Sequence, residues 1–135
     1  MAILRNQKYF ARSFVFLLLS MPTIVFSQVR LGYSFQELTR EFSKQVTTIV
    51  YVDKLPCLIV SSSNVDVLYY FDHRSFCRQT SISTKSLKIA HEIIDTYNKS
   101  YKKTSKNTWE MKSGEKFPHI EYKIVQGTNH TFTWN

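Results

Sequence analysis

Two groupings of reactive side chains stand out in this chain of 135 residues. Asp72-His73-Arg74 places an imidazole four residues before Cys77. A thiolate and a histidine can act as nucleophile and base, provided the sulfur is reduced, lies within hydrogen-bond reach of the ring and faces an oxyanion donor set. The spacing guarantees none of these, and the competing account is a polar turn followed by an inward-packed cysteine. The second grouping is His91 with Asp95, one helical turn apart on one face, a spacing that can bring imidazole and carboxylate to one metal. Two ligands do not make a site, and the other histidines, His73, His119 and His130, are scattered. Glu110, Glu115 and Glu121 fall on separate strand positions, so no paired-carboxylate hydrolase can be argued. Gly32, Gly114 and Gly127 are too far apart for a phosphate-cradling loop. Neither a cofactor nor a metal is expected.

The densest basic and aromatic stretch is Lys99, Lys102, Lys103 and Lys106 interleaved with Tyr97, Tyr101 and Trp109. Lysines beside exposed rings can grip a polyanion through phosphate attraction and stacking. Cations in the last turns of a helix also oppose its dipole, however, and Tyr97 and Tyr101 fit a helix's apolar stripe. The structural account is preferred, and nucleic acid is not an expected partner. Cys57 and Cys77 are the disulfide candidates, since an oxidising compartment would permit them to pair. In a simple meander one strand separates them, about 9–10 Å from the ~4.8 Å strand spacing, which exceeds the ~7 Å limit for a bridge. Both a bridge and two free buried thiols remain open at this point.

These residues sit on elements that the sequence marks clearly. Residues 1–27 read as a secretory signal peptide, with Arg5, Lys8 and Arg12 ahead of an apolar run from Phe14 to Phe26. Cleavage after Ser27 leaves a single domain of 108 residues, 28–135, with no transmembrane anchor, at an exported, periplasmic or secreted address. The chain has 18 Lys and Arg against 10 Asp and Glu; removing the three basic leader residues lowers its net charge from +8 to +5. Ser34 and Glu37 form a capping box for a short helix ending near Ser43, with Phe35, Leu38 and Phe42 on its apolar face. Strands are expected over Val46–Val52, Cys57–Ser61 and Val65–Phe71, with a fourth over Phe76–Ser81. A long helix follows from about Lys85 to Lys103, capped by Ser83 or Thr84, with Leu87, Ala90, Ile94, Tyr97 and Tyr101 as its core stripe. Strands over Thr108–Lys112, His119–Gln126 and Thr131–Trp134 close the chain, the last two joined at Gly127-Thr128-Asn129. Connections this short force antiparallel pairing. The expected fold is α+β, two helices packed on one face of an antiparallel sheet of about six strands.

That element order resembles the repeated helix-plus-strands unit of TATA-binding-protein-like and β-lactamase-inhibitor-protein-like folds. The second half is similar to small exported proteins of Bacteroidetes-type bacteria. The similarity runs over residues 65–135: an aromatic strand leading to Cys77, a helix ending in Tyr97-Asn98-Lys99-Ser100-Tyr101, Trp109 opening a strand, and Phe132-Thr133-Trp134 at the end. The resemblance implies an exported address and no particular activity.

The functional expectation is a non-enzymatic binding module that contacts a protein or cell-envelope partner. Strand alternation should leave some of Tyr51, Tyr69, Tyr70, Tyr122 and Trp134 on the face the helices do not cover, a composition enriched at protein contacts. The alternatives are a small cysteine hydrolase built on Cys77 with a histidine, and a polyanion-binding protein that uses the Lys99–Lys106 cluster, with Lys99, Lys102 and Lys103 as binding residues.

Overall fold

A computed structural model describes residues 29–112 and 118–135; the leader read over residues 1–27, together with Gly114 and Glu115, lies outside the described residues. In chain order the elements are α1 (Phe35–Glu41), β1 (Val46–Val52), β2 (Leu55–Ser61), β3 (Asp66–Phe71), β4 (Cys77–Thr84), α2 (Leu87–Ser100), β5 (Lys102–Ser105), β6 (Thr108–Glu110), β7 (Ile120–Val125) and β8 (Asn129–Trp134). All eight strands join one antiparallel sheet in the order β1-β2-β3-β4-β8-β7-β6-β5. This corrects the expected α+β sheet of about six strands: the described residues are mostly sheet, eight strands with two short helices. The strand that was not expected, β5, arises where Lys102 and Lys103 leave the helical path. The Tyr101 backbone turns extended (φ −128°, ψ 162°), its N–H closing the last turn on the Tyr97 carbonyl, and the chain enters a hairpin with β6.

Helix α1 begins as its capping box dictates. Ser34 Oγ accepts from the Glu37 N–H at 3.1 Å, and Glu37 Oε1 accepts from the Ser34 N–H at 3.2 Å. Its apolar face lies on β3, with Phe42 stacked on Tyr69 at 5.6 Å and Phe35 edge-on to Phe71 at 5.1 Å. Helix α2 is capped by Ser86, whose Oγ accepts from the Ile89 N–H at 3.2 Å, two or three residues later than expected. Ala90, Ile93 and Tyr97 are buried, whereas Leu87, read as part of the core stripe, is 56% exposed. Starting the helix later leaves Leu87 in the first turn, beyond the sheet-facing stripe.

Tyr97 is the centre of the second half of the core. Tyr101, Trp109, Phe132 and Trp134 each meet its ring edge-to-face at 5.6 Å, a geometry worth roughly 0.5–1.5 kcal/mol per pair beyond area burial. Since paired residues share a face, the register places Leu58, Val60, Val67, Tyr69, Ile82, Thr80, Phe132, Trp134, Ile120 and Trp109 beneath the helices. The register slips between Tyr70 and Phe71, where Gln79 opposes the first and Cys77 the second. This bulge turns Cys77 onto the helix-bearing face beside Thr80.

Segment 32–35 completes β4 where β8 runs out. The last β4–β8 pair is Thr80 with Trp134. Beyond it the Gly32 N–H donates to the Cys77 carbonyl (2.8 Å), the Cys77 N–H to that of Tyr33 (2.7 Å), and the Phe35 N–H to that of Ser75 (2.8 Å). The chain ahead of α1 is thereby held on the sheet.

Candidate binding edge

The cysteine chemistry does not assemble. Cys77 is 3% exposed, and its Sγ lies 3.6 Å from Thr80 Oγ1 and 3.5 Å from the Gln79 carbonyl, while His73 stands exposed in the preceding turn. Burial pushes the Cys77 thiol up, the opposite of what an activated nucleophile requires. Cys57 is fully buried and pushed up to about 11, chiefly by burial. Both thiols are free. They occupy β2 and β4 with β3 between them, and Cys57 pairs with Tyr70 while Cys77 pairs with Phe71, on opposite faces. The disulfide candidate is therefore not a bridge in this fold.

His91 and Asp95 are both exposed, and among the described residues no group of three or more His, Cys, Asp or Glu is placed to hold a metal. His119 Nδ1 lies 3.8 Å from Glu110 Oε1, and His130 is stacked on Tyr122 with its Nδ1 2.7 Å from the phenol oxygen. A recess of about 540 Å³ at one end of the sheet is lined by polar groups including Ser62, Asn64, Asp66 and Lys85. Three of its hydroxyls bond within the fold: Ser62 Oγ donates to the Val65 carbonyl, Thr84 Oγ1 donates to that of Asn64, and Ser86 Oγ accepts from the Ile89 N–H.

The lysine cluster is divided among elements. Lys99 ends α2, while Lys102 and Lys103 occupy successive positions of β5 and so project to opposite faces. Lys102 pairs with Glu110, and Lys103 Nζ sits 5.9 Å over the Trp109 ring. The three do not form one patch.

The aromatic residues expected on an open sheet face are mostly beneath the helices. Tyr69 is fully buried and Trp134 is 4% exposed. Tyr122 stacks on Phe132, on the helix-bearing face. Only Tyr70, opposite Gln79, belongs to the other face, where Ile59, Leu68, Ser81 and Thr133 surround it in the register. Alternation placed the rings on the covered side because α1 and α2 needed them as their floor. Tyr51 alone of the expected binding rings is open to water, at 73%; it lies on the helix-bearing face but beyond the reach of either helix.

Tyr51 belongs to β1, which its local sequence marks as a strand like the others. Every residue of β1 is exposed, in the run Val-Thr-Thr-Ile-Val-Tyr-Val, and among the described residues nothing pairs with its outer side. A long, uncharged, apolar edge strand is a template for another strand, and proteins ordinarily blunt such edges with charge, bulges or a cover. The opposite edge is blunted: β5 is Lys-Lys-Thr-Ser. The signal for β1 was available in the absence of any charged or proline residue over seven positions, but strand order was needed to show that β1 is an edge.

Backbone alternation identifies which groups of β1 point outward. His119 and Asn135 exchange reciprocal N–H to carbonyl bonds at 2.9 Å. In an antiparallel ladder such pairs alternate with pairs whose groups face the next strand. Counting back through the registers, odd residues of β8 bond to β7 and even ones to β4, odd residues of β4 bond to β3, even residues of β2 bond to β3, and even residues of β1 bond to β2. Thr47, Ile49 and Tyr51 therefore aim their N–H and carbonyl groups away from the sheet. The β1–β2 turn agrees independently. Asp53 and Lys54, at φ 52° and 68°, form a two-residue loop of the primed type closed by Val52 and Leu55, the pair that such a loop hydrogen-bonds.

Comparison with protein-family models, with curated proteins and with solved structures finds no match for this chain. The resemblance of residues 65–135 to small exported bacterial proteins thus receives no support from relatives. Among the described residues no helix is long and apolar enough to cross a membrane.

Proposed function

We propose that this protein is an exported, non-enzymatic binding module that holds a protein partner at the outer edge of β1. One observation carries the reading: seven consecutive exposed, uncharged residues, including Val46 at 72% and Tyr51 at 73%, on an edge strand of a sheet whose other edge carries lysines. Burying such residues against a partner is favourable at about 25 cal/mol per Å² of apolar surface, and the outward N–H and carbonyl groups supply directional hydrogen bonds. The basic opening and the apolar run from Phe14 to Phe26 support the exported address. The raised thiol of Cys77 and its packing against Thr80 weigh against the hydrolase alternative, and the division of Lys99, Lys102 and Lys103 weighs against polyanion binding.

The test is site-directed photocrosslinking in the native cell, with benzoylphenylalanine replacing Tyr51 on one edge or Lys102 on the other. A discrete protein adduct from position 51 that is absent from position 102, and lost when Ile49→Lys is added, is the expected result. Adducts from position 102 alone, or from neither, would overturn the reading.

A further inference from the structure

We infer that the outer edge of β1 accepts one extended segment of another protein as a ninth, antiparallel strand, apolar through its middle and acidic at its carboxyl end. The inference rests on reading β1 as the contact surface and adds the mode and the chemistry of the partner.

The mode follows from the backbone. Thr47, Ile49 and Tyr51 each offer one donor and one acceptor outward, a spacing that only another extended chain matches. Antiparallel addition continues the pattern of every existing pair. The partner's middle must be apolar or β-branched on both faces. Residues opposite Ile49 and Tyr51 point to the helix-bearing side, and those opposite Thr48 and Val50 to the other, and β1 presents no charge on either.

Charge selects among occupants. Lys44 is exposed just before β1, while at the far end Asp53 and Lys54 cancel one another. An antiparallel partner brings its carboxyl end to Lys44, so an acidic residue there is the complement. A second copy supplies none. The two-fold register that uses all three outward residues sets Ile49 on Ile49 and brings each Lys44 to the neutral Asp53-Lys54 turn of its mate. It also joins two bodies of the same positive net charge.

The probes are two acetylated, amidated peptides of alternating threonine and valine, one ending in two glutamates and the other in two lysines. They are titrated at low salt into the ¹⁵N-labelled protein, with amide shifts read by NMR. The expected result is shifts centred on Thr47–Tyr51, with the glutamate peptide binding roughly tenfold more tightly. Lys44→Glu should reverse the preference, and Lys102→Glu, the same change of net charge on the other edge, should leave it in place. Equal binding of both peptides at β1 would overturn the acidic partner while leaving β1 as a contact surface. Absence of shifts at β1 with either peptide would overturn strand addition, with the Tyr51 crosslink judging the surface separately. Concentration-dependent dimerisation that shifts β1 without peptide would assign the edge to a second copy and sink the inference.

Discussion

The indole Nε1–H of Trp134 donates to the hydroxyl oxygen of Tyr97 at 2.9 Å, tying β8 to the last turn of α2. Both residues are buried. Tyr97→Phe keeps the ring contacts and removes that acceptor, so a loss of about 1–3 kcal/mol is expected. Tyr97→Ala also opens a cavity among four aromatic rings, and about 3–5 kcal/mol should go, a large part of an ordinary domain's stability. Urea unfolding of the two variants measures the difference; an unchanged Tyr97→Phe would show that the hydrogen bond contributes nothing, and equal losses would show that the ring packing adds nothing beyond it.

The thiols make stability fall at alkaline pH. Cys57 is pushed from 9.0 to about 11 by burial, so the unfolded chain gives up its proton first. The unfolded state then binds fewer protons than the native one, and stability declines as pH rises from about 9 to 11. Burial raises Tyr69 and Tyr97 as well, which prolongs the decline in the same direction. Denaturant midpoints taken across this range should drop for the wild type and drop less for Cys57→Ala. At neutral pH neither native thiol should react with a bulky disulfide reagent, and both should react in urea.

Asp72 organises the turn between β3 and β4. Its Oδ1 accepts from the Arg74 N–H at 2.8 Å and the Phe76 N–H at 3.0 Å, the second being the main reason its carboxyl is held below the usual range. A lowered native pKa contributes stability that is present above the unfolded pKa and lost as pH falls through the native one. Asp72→Ala should be less stable at pH 7 and should show a shallower acid decline than the wild type. An unchanged acid limb would show that the carboxylate is not the turn's organiser.

The Asp53-Lys54 turn holds two non-glycine residues at positive φ. For Lys54 that conformation costs roughly 1–2 kcal/mol, which a glycine largely avoids. Lys54→Gly is expected to stabilise by about 0.5–1 kcal/mol after allowing for the freer unfolded chain. A destabilised variant would mean that the turn is not of the primed type, and the outward assignment of Thr47, Ile49 and Tyr51 would lose one of its two supports.

Local chemistry was legible where it acts over a few residues. Ser34 and Glu37 cap α1 because their groups reach each other without help from the rest of the fold. The run Val46–Val52 forms a strand over the bounds its β-branched residues mark. The separation of Cys57 from Cys77 by one strand also followed from short connections, which leave a chain little choice but to pair with its neighbour. Lys102–Ser105 was not legible, because Lys-Lys-Thr-Ser has no alternation; its strand exists because Lys103 pairs with Trp109, whose ring α2 covers.

What the sequence determined by itself was therefore the existence of the apolar strands, the cap of α1 and antiparallel pairing, all set by interactions between residues close along the chain. Which face the helices cover, which strands are edges, and where the aromatic rings go were decided by tertiary structure. An alternating strand is compatible with either face, and a strand such as β1, apolar on both, fits an edge or a centre equally. Only the pairing of β4 with β8, across the intervening α2 and three strands, closes one side of the β1–β4 meander and leaves β1 at the edge of the sheet among the described residues.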